Sequence, residues 1–116
     1  MSPDDVSTDF WKAAETARQS QGVEDATMMG FPCLRYEGTF FASSERQTGD
    51  LVVKLPEQRV EALIAGGEAV PFAPNGRRFR EWARIPERDR RRWKRLIGEA
   101  LQFAEAHAPR QRTPKR

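Results

Sequence analysis

Cysteine and histidine side chains carry much of nucleophilic and metal chemistry, and this chain contains one of each. Cys33 follows Pro32 at the start of an apolar segment, and His107 lies near the C-terminal end. A structural zinc site needs four ligands, so one Cys and one His exclude a Cys/His zinc cluster. Cys33 has no histidine nearby in the sequence and fits a small buried hydrophobic residue better than a nucleophile. His107 fits an exposed side chain better than a general base.

Carboxylates and glycines form no clearer catalytic pattern. Glu57 and Glu68 could meet in space, but their spacing does not require it. Gly66-Gly67 and Asn75-Gly76 lack the Lys-Ser/Thr pair that completes a phosphate-binding P-loop, so they indicate a helix end and a turn. We therefore expect a protein that is not an enzyme and that holds no metal and no cofactor.

Basic side chains, whose chemistry is the binding of anions, are concentrated in one part of the chain. Residues 1–75 contain six Lys/Arg and twelve Asp/Glu, whereas residues 76–116 contain fourteen and five, within a net charge of +3. A local positive potential steers anionic partners even when the net charge is small. The asymmetry predicts DNA or another polyanion as a partner, with solvated surface arginines as the alternative.

A run of basic residues opens the last predicted helix. Its members are Arg88, Arg90, Arg91, Arg92, Lys94 and Arg95. Cations in the first turns of a helix oppose the macrodipole at a cost of about 0.3–1 kcal/mol each at low salt, so helix stability does not favour this placement. Contacts with an anion would recover that cost, and simple surface charge is the alternative. Arg95 and Glu99 are also spaced for a weak i,i+4 ion pair.

The elements that position these residues are expected to form one domain. With 116 residues, of which 38% are hydrophobic, the chain can build one core but not two ordinary domains. The periodic segments lie within residues 8–107, and the polar ends, 1–7 and 108–116, are predicted to be disordered. No apolar segment approaches the roughly 20 residues that cross a bilayer, and the start is acidic, unlike a signal peptide. These features predict a cytoplasmic location and no membrane partner.

Hydrophobic periodicity predicts three helices and five strands. Apolar residues recur at helical spacing over about residues 8–21, 56–65 and 89–107. Strands are expected over about residues 32–36, 39–43, 50–55, 69–73 and 77–85. The order α-β-β-β-α-β-β-α predicts a two-layer α+β domain, with an antiparallel sheet covered by helices on one face.

Asn75-Gly76 is the strongest hairpin signal in the sequence. A two-residue turn there places Phe72 opposite Phe79, because antiparallel partners step away symmetrically from the loop. Phe72 and Phe79, with Ala83 and Ile85 by alternation, then face the core.

The same alternation predicts a basic and aromatic face on the other side of the sheet. A turn at Glu37-Gly38 pairs Leu34 with Phe41 in the core and leaves Arg35 beside Phe40 outside. Such a face suits phosphate pairing together with base stacking. Its expected members are Arg35, Phe40, Lys54, Arg78, Arg80, Trp82 and Arg84.

Two alternatives to this face remain open from the sequence. Phe40 and Trp82 could instead pack under the terminal helices or in a dimer interface, since large aromatic residues are usually buried. The predicted register also directs Glu81 at the core, and a bulge near Arg80 would turn Trp82 inward and Glu81 outward.

Short motifs along the chain resemble the TfoX N-terminal and MmcQ/YjbR superfamily. They read MGFP at 29–32, GTFFA at 38–42, LVVKLP at 51–56, PF at 71–72, GR at 76–77 and REW at 80–82. The resemblance covers about residues 8–106 and implies the α-β-β-β-α-β-β-α arrangement of a small single-domain member, with no established enzymatic activity. Some members are described as DNA-binding through two wing-like hairpins. By resemblance, the wings would surround Gly38 and Gly76, with Arg77, Arg78 and Arg80 beside the second.

The sequence thus predicts a small non-catalytic protein that binds nucleic acid weakly through its basic C-terminal half, mainly by phosphate contacts. The alternative is a protein-interaction or homodimerisation module that uses the open sheet face and has no nucleic-acid role. The predicted nucleic-acid contacts are Arg35, Lys54, Arg77, Arg78, Arg80, Trp82, Arg84, Arg91 and Arg95.

Overall fold

A computed structural model describes residues 8–28, 31–45, 47–73 and 76–107. The chain ends predicted to be disordered, 1–7 and 108–116, lie outside these residues, as does Asn75 of the predicted turn. In chain order the elements are α1 (Thr8–Arg18), β1 (Val23–Met28), β2 (Phe31–Tyr36), β3 (Thr39–Ser44), β4 (Leu51–Lys54), α2 (Glu57–Ala65), β5 (Val70–Pro71), β6 (Trp82–Ile85) and α3 (Arg90–Ala106). None of the described helices is both long enough and apolar enough to cross a bilayer.

The six described strands form one antiparallel sheet in the order β1-β2-β3-β4-β6-β5. The predicted α+β class is therefore confirmed, but the prediction of five strands missed β1. The sequence of β1, VEDATM, lacks apolar alternation because an edge strand does not bury a full face. Its acidic residues are matched by cations instead: Glu24 pairs with Arg35 at 3.1 Å and Asp25 with Arg18 at 2.5 Å.

All three helices contribute to one core on one face of the sheet. The core residues of α3 recur at helical spacing and include Trp93, Leu96, Ile97 and Ala100. The Asp89 side chain caps α3 by accepting a hydrogen bond from the Arg92 N–H at 3.1 Å. Burial of the amphipathic faces against the sheet is the main source of stability for helices of this length.

The first hairpin, β2–β3, turns at the predicted place. Glu37 and Gly38 both have positive φ, 47° and 90°, as a two-residue turn between twisted strands requires. Arg35 lies opposite Phe40 as predicted, but Leu34 pairs with Ala42 rather than with Phe41. A β-bulge at Phe41 causes this shift, and it lets Phe41 reach the core, where it is fully buried.

The second hairpin differs from its prediction, because Phe79 does not face the core. Its side chain is 39% exposed, and β6 begins only at Trp82. A hydrogen bond from the Phe79 N–H to the Phe72 carbonyl, 2.9 Å, keeps the expected pairing of these two residues. The next residues then form a turn, which the Trp82 N–H closes on the Phe79 carbonyl at 3.1 Å. Alternation of faces is lost in a turn, so the inward position of Ala83 in β6 cannot be extrapolated back to Phe79.

The predicted faces of β6 itself are confirmed. Ala83 and Ile85 are fully buried in the core, and Trp82 and Arg84 alternate with them on the opposite face. The bulge that would turn Trp82 inward is therefore not formed. Glu81 lies in the turn and is exposed, so the conflict that its predicted inward position created does not arise.

Candidate nucleic-acid interface

The structure distributes the nine predicted contact residues over three places. Arg35, Lys54, Trp82 and Arg84 belong to strands of the sheet, Arg77, Arg78 and Arg80 precede β6, and Arg91 and Arg95 lie on α3. We call the sheet face opposite the helices the outer face. The three places differ in whether their cations remain available to a partner.

The outer-face arginines are already neutralised. Arg35 pairs with Glu24 and lies with its guanidinium 5.9 Å from the centre of the Phe40 ring. Arg84 donates to the carboxylate of Asp50 at 2.6 Å. Lys54 lies opposite Trp82 in the strand register and borders a small cleft with Phe103 at the end of the sheet.

Asp50 is the carboxylate that neutralises Arg84, and it also binds Arg88. It is 4% exposed and accepts hydrogen bonds from both Arg84 and Arg88, the second at 2.7 Å. Arg88 also donates to the Thr48 carbonyl at 2.6 Å, so one guanidinium ties the β3–β4 loop to the entrance of α3. Burial of the carboxylate strengthens these charge-assisted hydrogen bonds. Arg84 therefore has a structural role, and no local sequence pattern indicates it, because Asp50 lies 34 residues away from Arg84.

The middle of the outer face is not open to solvent. Cys33, Ser43, Val52 and Arg84 form one row across the sheet, and Cys33 and Val52 are buried in it. Burial raises the pKa of the Cys33 thiol, so the side chain stays protonated, as expected of a buried hydrophobic residue. The outer face is therefore only partly exposed to solvent, and its middle row cannot offer a continuous surface to a partner.

At one flank, three aromatic residues gather into a cluster that we call the aromatic corner: Phe72, Phe79 and Trp82. The rings of Phe72 and Phe79 meet edge to face with centres 5.9 Å apart, and those of Phe72 and Trp82 are 6.4 Å apart. Sequence reasoning placed Phe72 in the core, which is wrong. The β5–β6 register pairs Pro71 with Ala83, so continued pairing brings Phe72 to Trp82 on the outer face.

The cations beside the aromatic corner differ in their availability. Arg80 contacts Glu57 at 3.3 Å, whereas Arg77 lies with its guanidinium 6.0 Å from the centre of the Phe79 ring. Arg77 and Arg78 are exposed, and neither has an acidic partner among residues that the structure describes.

A cleft of about 480 Å³ adjoins the aromatic corner. Burial would raise the pKa of Glu45 in its wall, but hydrogen bonds from the backbone N–H groups of Thr48 and Gln47 and from the Thr48 hydroxyl outweigh burial and lower that pKa. The Glu45 carboxylate therefore holds its own loop in place. The cleft is lined by Glu45, Gln47, Thr48, Pro71, Phe72, Ala73 and Arg84.

On α3, three cations form what we call the cationic stripe: Arg91, Lys94 and Arg95. They are exposed, border one shallow groove, and have no ion-pair partner within the described part of the chain. The predicted i,i+4 pair of Arg95 with Glu99 is not formed, because Glu99 accepts two hydrogen bonds from Arg59, at 2.9 and 3.0 Å. Sequence reasoning named Arg91 and Arg95 as contacts and omitted Lys94.

Arg92, a neighbouring cation on the same helix, is paired with carboxylates, unlike the three residues of the stripe. Arg92 contacts Glu87 at 2.5 Å and Glu68 at 3.5 Å, and hydrogen bonding to Glu87 raises its pKa. The nearby carboxylates are thus used by Arg59, Arg88 and Arg92. The cationic stripe points away from the sheet, since the opposite side of α3 packs into the core.

Possible catalytic and metal-binding groups show no convergence in the described residues. No group of three or more Cys, His, Asp or Glu residues there is placed to hold a metal ion. The His107 ring lies against its own helix, with Nδ1 3.0 Å from the Phe103 carbonyl oxygen.

Comparison with protein-family models, with curated proteins and with solved structures finds no match to this chain. The resemblance to the TfoX N-terminal and MmcQ/YjbR superfamily stays a prediction from short motifs.

Proposed function

We propose that this protein binds nucleic acid through phosphate contacts made by the cationic stripe of α3, Arg91, Lys94 and Arg95. The observation that carries the proposal is the absence of acidic partners for these three side chains among the described residues, next to cations that have them. Exposed guanidinium and ammonium groups in a row are suited to a polyanion, because each phosphate they neutralise releases condensed counterions.

The position of the stripe near the start of α3 supports a binding role. The helix dipole disfavours a cation in the first turn, where Arg91 lies, and the nearby carboxylates that could offset this pair with other arginines. Phosphate groups beside the stripe would remove the repulsion and would interact favourably with the same helix end. Three phosphate contacts without base contacts predict weak binding that does not depend on sequence.

The test is a titration of a labelled DNA duplex with the protein at salt concentrations from about 50 to about 200 mM. Three phosphate contacts predict a slope of roughly −2.7 in log affinity against log salt. The double variant Arg91→Gln with Arg95→Gln should lower the affinity and reduce the size of the slope by about 1.8.

The matched control is Lys12→Gln, which removes one exposed cation from α1. It should leave the affinity within about twofold of the unaltered protein. Equal effects of both variants, or a slope that the double variant leaves unchanged, would show that the stripe is not the contact surface.

A second candidate function, a protein-interaction surface, is favoured by one observation: Phe79 is a large hydrophobic residue with 39% of its surface exposed. Exposed aromatic residues are enriched at protein interfaces. Light scattering at increasing protein concentration tests for self-association, and a constant monomer mass would remove the homodimer form of this candidate.

A further inference from the structure

The aromatic corner has no role in the core of the domain. Phe72, Phe79 and Trp82 are absent from the buried core cluster and from the partly buried hydrophobic residues that pack against it. Their rings contact one another at the edge formed by β5 and β6 instead. Since core stability does not account for three adjacent aromatic residues on a surface, the corner needs another explanation.

The charges around the corner indicate the kind of partner. Arg77 lies over the Phe79 ring, and Arg78 is exposed next to it, both without acidic partners in the described residues. Aromatic rings beside available guanidinium groups match a ligand that has flat apolar rings on an anionic backbone.

We infer that the aromatic corner is a stacking site for unpaired bases of a single-stranded nucleic acid, with Arg77 and Arg78 contacting the backbone. This inference rests on the proposed nucleic-acid function. It adds that the aromatic corner, a surface separate from the cationic stripe, selects single strands. Base stacking tolerates every base, so the site discriminates single strands from duplexes rather than one sequence from another. In a duplex the base faces are covered by their neighbours and cannot reach Phe79.

Self-association through the same corner is disfavoured by its charge. A symmetric dimer brings the patch onto its own copy, so Arg77 and Arg78 of the two chains would lie near one another. Their repulsion would oppose the apolar gain from Phe79, because neither arginine has an acidic partner among the described residues of its own chain.

The experiment compares a labelled oligothymidylate of about 12 nucleotides, which covers a single-strand site, with a duplex of the same length. Affinity is measured by fluorescence anisotropy. Phe79→Ala should weaken oligothymidylate binding at least about fivefold, the loss of one stacked base, and leave duplex affinity unchanged. Phe79→Trp keeps a stacking ring and should restore single-strand binding.

The matched control is Phe103→Ala, which removes a half-buried ring on α3 that contacts the His107 ring. It should leave the ratio of single-strand to duplex affinity unchanged. Circular dichroism of each variant confirms that the domain is folded.

The outcomes separate this inference from the proposed function. If Phe79→Ala leaves oligothymidylate affinity unchanged while duplex binding still depends on Arg91 and Arg95, the corner is not a stacking site and the cationic stripe stands. If Phe79→Ala abolishes single-strand binding while Arg91→Gln with Arg95→Gln changes no affinity, base stacking at the corner is supported and phosphate binding by the stripe is overturned. A stable dimer that dissociates on Phe79→Ala would identify the corner as a protein interface and overturn the inference.

Discussion

At the scale of single residues, carboxylates decide which arginines are available to a partner. Asp50 holds Arg84 and Arg88, Glu99 holds Arg59, and Glu87 holds Arg92. The cations that we assign to binding, on α3 and beside the aromatic corner, are among those that have no such partner in the described residues. Counting arginines in the sequence therefore overstates the binding charge, because paired and available arginines look alike until the carboxylates are located.

Asp50→Asn should destabilise the fold by about 2–4 kcal/mol, since it leaves Arg84 and Arg88 without their shared buried carboxylate. Urea unfolding followed by circular dichroism measures the change. Asp25→Asn is the matched control: its pair with Arg18 is exposed, so we expect a loss below about 1 kcal/mol. Equal losses would mean that burial of Asp50 contributes nothing.

Phe79→Ala and Phe41→Ala should differ strongly in their effect on stability. Phe41 is fully buried in the core and its truncation should cost about 3–5 kcal/mol, whereas the exposed Phe79 should cost at most about 1 kcal/mol. Thermal unfolding of the two variants checks this order. A larger loss for Phe79 would contradict its placement outside the core.

At the scale of elements, a β-bulge and a turn determine which side chains lie on the outer face. The bulge at Phe41 lets β3 bury Phe41 while keeping Phe40 beside Arg35. The turn that ends at Trp82 leaves Phe79 beside Phe72 and starts β6 with Trp82 outward. Each of these features breaks the two-residue alternation of a strand, which is why alternation along the sequence wrongly paired Leu34 with Phe41 and wrongly placed Phe79 in the core.

The β3–β4 loop gives a pH prediction, because hydrogen bonds from Thr48 and Gln47 lower the pKa of Glu45 in the folded protein despite its partial burial. A lowered folded-state pKa contributes stability above the unfolded-state pKa, about 4.3 for glutamate, and that contribution is lost as the pH falls through the folded-state value. The temperature of the unfolding midpoint should therefore decrease as the pH is lowered below about 4.3. The midpoint of the Glu45→Gln variant should decrease less steeply with pH over the same range. An identical dependence on pH in both proteins would show that the protonation of Glu45 is not linked to folding.

At the scale of the whole molecule, the two candidate surfaces face different directions. The cationic stripe lies on the side of α3 away from the core, whereas the aromatic corner lies on the sheet face opposite the helices. A layer of helices and a layer of sheet separate them.

This separation predicts that duplex and single strand bind together rather than compete. With labelled oligothymidylate bound to the corner, an excess of unlabelled duplex should leave most of the anisotropy signal in place. Unlabelled oligothymidylate should remove it, which serves as the control for reversible binding. Full displacement by the duplex would show a single shared surface.

The sequence by itself determined the α+β class, the three amphipathic helices, the β2–β3 turn and the inward Ala83 and Ile85, because these follow from local periodicity and turn chemistry. It also indicated the basic C-terminal half. Only the tertiary structure decided the edge strand β1, whose residues carry no periodic signal, and the exposure of Phe79, which a turn takes out of alternation. It alone decided which arginines are paired, since Asp50 reaches Arg84 and Arg59 reaches Glu99 across 34 and 40 residues of chain. Contacts over such distances depend on how the layers pack, and no local pattern encodes them.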